Sequence, residues 1–141
     1  MSNFKEVKEM DKVFQFVVAV GGAAASFLFG GWSALLSILL AFVVIDYITG
    51  CIASGVQGKL NSQTGWKGIA KKVAIFFIVA VAHMVDVALG GGDTHMFRDA
   101  AIFFYLANEV LSITENAGKI GIPIPNKLLN AVEVLKGKED N

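Results

Sequence analysis

The chain has 141 residues, 55 % hydrophobic and 17 % charged, with a mean hydropathy of +0.61 and twelve Lys+Arg against twelve Asp+Glu. The even charge balance excludes an electrostatic nucleic-acid binder, and 15.0 kDa leaves no room for a second domain. Cys51, the one cysteine, lies in an apolar stretch and excludes both a disulfide framework and a thiol-built metal site.

Residues 1–12 mix Lys5, Lys8 and Lys12 with Glu6, Glu9 and Asp11, while Phe4, Val7, Met10 and Phe14 recur at helical spacing. This pattern predicts an amphipathic turn or two along the inner membrane surface. Acids are out of place in the basic region of a secretion signal, so the next segment is expected to stay uncleaved. From Val13 to Ile45, thirty-three residues carry no ionisable side chain. A single helix of that length would measure about 50 Å, against a hydrocarbon core of roughly 30 Å. Gly30-Gly31 splits it into two spans, about Val13–Phe29 and Trp32–Ala53.

A third apolar segment runs from about Val73 to Leu89 and a fourth from about Met96 to Ile113. The fourth is the weakest, because Arg98, Asp99, Asn108 and Glu109 interrupt it; an interfacial or re-entrant helix is its alternative. Gly118, Gly121, Pro123 and Pro125 then forbid continuous helix. Asn126 is the expected N-cap of a short helix with Leu128, Val132 and Leu135 on one side and Lys127, Asn130 and Lys136 elsewhere. That helix anchors the tail to the membrane surface or touches another protomer, and residues 137–141 are expected to be disordered.

The predicted fold is an all-α integral membrane protein with four transmembrane helices and short amphipathic helices at both ends. It divides into a cytoplasmic N-terminus (1–12), a four-helix domain (13–113) and a cytoplasmic C-terminal segment (114–141). Four crossings place eleven of the twelve basic residues inside, including a loop with Lys59, Lys67, Lys71 and Lys72, and only Arg98 outside. Both termini are therefore expected in the cytoplasm.

No Ser/His/Asp or Cys/His set, metal-ligand spacing or phosphate loop is evident. Gly90-Gly91-Gly92 lacks the strand–loop–helix context of a phosphate loop. Neither enzyme activity nor a cofactor is expected. The unusual groups are polar residues at membrane depth, since a lipid-exposed carboxylate costs a few kcal/mol. Asp46 and Glu109 must face protein or water, or snorkel towards Lys71 and Lys72. His83 and Asp86 share a face at i, i+3, with Arg98 within reach of Asp86. On the fourth helix Arg98, Ala101, Tyr105, Asn108, Glu109, Ser112 and Asn116 form a polar flank opposite Phe103, Val110 and Ile113. Small residues recur every fourth position, as Gly22, Ser26 and Gly30 and as Gly50, Ser54 and Gly58. Such stripes allow close helix approach and point to a homo-oligomer in the bilayer.

Two groups of motifs carry a resemblance. Ile45-Asp46-Tyr47-Ile48-Thr49-Gly50 is followed by Lys59-Leu60-Asn61-Ser62, Gly65-Trp66-Lys67-Gly68 and Lys71-Lys72. Glu115-Asn116-Ala117-Gly118-Lys119 is followed by Gly121-Ile122-Pro123-Ile124-Pro125 and Leu128. Over roughly residues 35–136 the chain resembles the toxin-secretion/phage-lysis holins, of the phage holin family 4 type. The resemblance implies oligomeric lesions in the bacterial cytoplasmic membrane, through which an endolysin escapes or a large toxin is exported. It implies an endolysin as functional partner without stable binding, and leaves room for an antiholin antagonist. No catalytic residues carry over; Asp46, Thr49 and Gly50 match the family's most recognisable motif and are read as an assembly element. Two other classes compete. One is a small ion or proton channel or transporter relaying through His83, Asp86, Asp46 and Glu109; the other is a passive membrane scaffold.

Overall fold

The computed structural model describes residues 2–91 and 93–137, and within them it holds five helices and no strand. They are α1 (Ser2–Phe29), α2 (Ala34–Val56), α3 (Ser62–Ala88), α4 (Met96–Ile120) and α5 (Asn126–Gly137).

Each boundary follows from local chemistry. After α1 the chain turns at Gly30, whose φ of +71° suits a residue without Cβ, and Gly30 N–H donates to Ser26 O at 3.0 Å. Ser33 caps α2 by accepting from Leu36 N–H at 3.2 Å, and Asn61 caps α3 by accepting from Gln63 N–H at 2.8 Å. Because Asn61 starts α3 well before Val73, Lys67, Lys71 and Lys72 are helical; of the expected loop lysines only Lys59 lies in a connection. α4 closes on Gly121, where Ile122 N–H donates to Ala117 O at 3.0 Å. At α5 the first acceptor is Pro125 O, bonded by Leu128 and Leu129 N–H, so Asn126 already belongs to the helix. The side chains of Val132, Leu135 and Lys136, the residue Gly92 and residues 138–141 lie outside the described residues.

α1 runs unbroken from Ser2, so the expected boundary at residue 12 corresponds to no break, and α4 continues past Ile113 to Ile120. α1, α2 and α3 are long and apolar enough to cross a membrane. α4 has 25 residues, about 38 Å of helix, but carries Arg98, Asp99, Glu109, Glu115 and Lys119.

The packed unit is α2, α3 and α4. Leu36, Leu39 and Val43 of α2 meet Val79 of α3 and Ile102 of α4 in a small apolar core. α2 and α4 run in the same direction, with α3 antiparallel to both. α1 stands apart: residues 3–24 are all exposed, and it meets the bundle only through its last turns. There Phe29 packs edge-on against Phe76 of α3 and against Trp32, with ring centroids 6.5 and 6.2 Å apart. Among the described residues Gly22 has open space around it and Ser26 is exposed, so this half of the predicted stripe is left open. Gly30 is a turn residue, not a member of a helix face.

Candidate functional site

Below the apolar core, one residue from each packed helix converges. The Lys72 ammonium of α3 bonds both Asp46 Oδ2 of α2 and Glu109 Oε2 of α4. Asp46 and Glu109 are 6 % and 4 % exposed, so both carboxylates are inside the bundle. Asp46 has a second donor: Asn116 Nδ2 lies 3.0 Å from Oδ1, 3.3 Å from the Asp46 carbonyl and 3.2 Å from Thr49 Oγ1. The Thr49 hydroxyl donates back to Ile45 O at 2.9 Å, leaving a lone pair for Asn116. At Gly50 a Cβ would stand 3.5 Å from Asn116 Nδ2, in van der Waals contact. The two motifs thus form one structure, in which Asp46, Thr49 and Gly50 receive Asn116.

Asp46 and Glu109 accordingly turn inward to Lys72 instead of snorkelling, and Lys71 stays exposed. Shielding of the two acids needs no neighbouring copy. One protomer already supplies a cation and an amide, because α3 presents Lys72 between α2 and α4. Two carboxylates still share one ammonium, which leaves one negative charge in excess when all three are ionised.

Two clefts meet at this cluster. One, of about 230 Å³, opens between α2 and α3 and is lined by Tyr47, Ser54, Lys59, Asn61 and Lys119. Tyr47 lies over Gly65 and Gly68, where a Cβ would come to 3.4 Å from its hydroxyl and 3.5 Å from its ring, ordinary van der Waals contact. The other, of about 500 Å³, runs between α3 and α4 past Lys71, Tyr105, Asn108 and Ser112. Asp46, Lys72 and Ser112 border both. The polar flank of α4 therefore faces α2 and α3, while Phe103 and Phe104 point outward. Lys67 is exposed away from either cleft.

His83 and Asp86 sit at the opposite end, 4 % and 2 % exposed. Asp86 does not take the Arg98 guanidinium. Its two oxygens accept from Phe97 and Arg98 backbone N–H, each at 2.9 Å, and so cap α4 from a neighbouring helix. The guanidinium instead donates to Phe29 O at 2.7 Å and to Asp99 Oδ1 at 2.9 Å. Between the two polar ends, Leu36, Leu39, Val79 and Ile102 form a layer with 0 % exposure. Sequence reasoning missed the roles of Asn116 and His95, and named Lys72 only beside Lys71 as a target for snorkelling. For Lys72 the signal was available: a lysine immediately before an apolar span, with two acids at similar depth.

The sequence pattern of the bacteriophage holin family matches residues 23–137 of the chain. The chain belongs to that family. Uncharacterized protein BH0965 of Halalkalibacterium halodurans is 49 % identical over 133 residues, covering 92 % of this chain and 98 % of its own length. Uncharacterized protein Lmo0128 of Listeria monocytogenes is 45 % identical over 129 residues, covering 92 % and 91 %. An uncharacterized 14.9 kDa protein in the nagH 3' region of Clostridium perfringens is 41 % identical over 118 residues, covering 84 % and 89 %. No solved structure matches the chain. Holins are membrane-pore proteins, not enzymes, and all members of the acid–lysine–asparagine cluster fall within the matched segment.

Proposed function

We propose that this holin-family chain forms oligomeric lesions in the bacterial cytoplasmic membrane that release an endolysin, or export a large toxin. Protomers cross four times with both termini inside. The fourth crossing is supported by the course of α4 beside α2, from Arg98 at Phe29 to Asn116 at Thr49, which gives it the depth of a helix apolar enough to span.

The observation that carries the reading is the buried Asp46–Lys72–Glu109 cluster between two clefts. A closed protomer stores its charges against one another. Separating α3 from α2 and α4 exposes three charged groups and Asn116, which are tolerable only if water reaches them. A ring of protomers supplies that water as a lumen, and the open faces of Gly22 and Ser26 on α1 allow close approach of a neighbour.

The reading is tested by expressing the chain in place of the holin of a lysis-defective phage, following membrane potential and turbidity. Timed lysis with collapse of the potential is expected, and Lys72→Met is expected to shift the lysis time. Collapse of ion gradients with the endolysin retained would replace the lesion by an ion channel, and absence of any leak would leave a scaffold. The channel reading is disfavoured within one protomer, because the dry Leu36–Leu39–Val79–Ile102 layer separates His83 and Asp86 from Asp46 and Glu109.

A further inference from the structure

The end of the bundle opposite the acid–lysine cluster holds a second polar assembly that the lesion reading does not use. Gly30 of the α1–α2 turn is pressed onto two imidazoles. A Cβ there would lie 2.5 Å from His83 Cε1 and 2.7 Å from His95 Cε1, so the seat accepts only glycine. The two rings are 5.6 Å apart between centroids. Both Nδ1 atoms are shut from solvent and have no hydrogen-bond partner among the described residues. His95 itself holds a left-handed backbone, φ +48°, at the start of α4.

We propose that this junction is a proton-operated latch, in which proton uptake by the His83–His95 pair releases the Gly30 turn, and with it α1, from the bundle. A neutral imidazole can leave one ring nitrogen unpaired at modest cost, whereas an imidazolium carries N–H on both nitrogens and a charge. Asp86 attracts that charge, but the carboxylates around the rings are already engaged. On α3, Asp86 already gives both oxygens to Phe97 and Arg98 N–H. On α4, Asp99 Oδ1 is held by the Arg98 guanidinium, and Arg98 adds a fixed positive charge. Asp93, in the connection between α3 and α4, is exposed. The turn itself and α2 as far as Ile45 contain no ionisable residue.

Protonation of both rings would therefore set three cations together. The least disruptive response is to lift the Gly30 turn and let water reach the rings. That movement also breaks the Arg98–Phe29 O bond. As α1 is otherwise exposed up to Ala24, loss of this end frees the whole helix. The closed junction binds fewer protons than the open one, so it is favoured at higher pH and lost as pH falls.

The chain has two histidines, both in this junction, so a histidine-selective nitrogen NMR spectrum reports on it alone. The full-length protein in lipid nanodiscs, carrying Cys51→Ser, would bear spin labels at Phe27→Cys on α1 and Phe103→Cys on α4, both exposed. On titration from about pH 8 to 5, the label separation is expected to grow by at least one helix-packing distance, about 8–10 Å. Its midpoint should coincide with that of the imidazole signals. In His83→Gln/His95→Asn the separation should not respond to pH. A constant separation in the unsubstituted pair while the imidazoles titrate would overturn the latch, as would an equal movement in the double variant. Neither readout involves lysis, so the latch and the lesion reading stand or fall separately.

Discussion

Replacing Lys72 with Met keeps the length and packing of the side chain but removes the cation that Asp46 and Glu109 share. Because both acids touch one nitrogen, their nearest oxygens are at most about 5 Å apart, and at an effective dielectric near 20 two ionised carboxylates there repel by about 3 kcal/mol. Breaking one buried ion pair by deleting a partner costs about 3–5 kcal/mol, so the two estimates agree on the scale. For a three-helix unit of this size that corresponds to a fall in melting temperature of at least about 12 °C. Cys51, half-buried beside the cleft, gives the assay: its reaction with a maleimide dye in detergent reports opening of the bundle on heating. The decisive comparison is the triple change Lys72→Met/Asp46→Asn/Glu109→Gln, which removes all three charges with little change in shape. It should recover most of the loss. Glu109→Gln alone should stay within about 1 kcal/mol, because it removes the excess charge and keeps a carbonyl acceptor for Lys72. Asp46→Asn should cost more, since Asp46 serves both Lys72 and Asn116. An unchanged melting curve for Lys72→Met, or a triple variant no better than the single, would refute the shared-cation account.

Asn116→Ala removes the one amide that joins Asp46 and Thr49 to α4, and should lower stability by about 1–3 kcal/mol in the same thermal assay. Gly30→Ala puts a methyl 2.5 Å from His83 Cε1 on a backbone of φ +71° and should cost about 1–3 kcal/mol, seen as a lower melting temperature; Gly31→Ala shares the positive φ but has open space and should cost less. A cysteine placed at Lys127 or Asn141, in a Cys51→Ser background, should be blocked from impermeant maleimide in intact cells; labelling there would overturn the placement of the C-terminus inside.

The helices and their polarity were legible because lipid imposes a strong rule: long uncharged runs must be helical, and glycine pairs between them must turn. The positions of Asp46, Glu109, His83 and Asp86 at depth were visible for the same reason, as costly residues that demanded partners. What did not show was which partner. Lys71 and Lys72 read alike, as loop cations towards which the acids snorkel, because hydropathy marks the apolar stretch from Val73 and is blind to the Asn61 cap that carries α3 earlier. Asp86 read as an ion-pair partner of Arg98, yet it caps the backbone of α4. Charge proximity in sequence does not reveal that four helix N–H groups need acceptors. The stripe Gly22, Ser26, Gly30 has one period but two roles, since its last member lies past the helix end.

On the proposed lesion mechanism, the satisfaction of both acids inside one protomer constrains the order of events. Had Asp46 and Glu109 been unpaired, relief of their desolvation would itself drive assembly, and a protomer would be unstable at any density. With Lys72 and Asn116 in place, opening must first break a paired cluster, so it requires an outside gain from contacts between copies. Such contacts grow with surface density, whereas the cost of opening is fixed per protomer. A fixed cost set against a density-dependent gain yields a threshold, and the residues that set its height are those of the cluster. Weakening the pairing should therefore lower the density at which lysis begins. Lys72→Met or Asn116→Ala would then lyse earlier at equal expression, and a later onset at unchanged protein level would contradict this order of events.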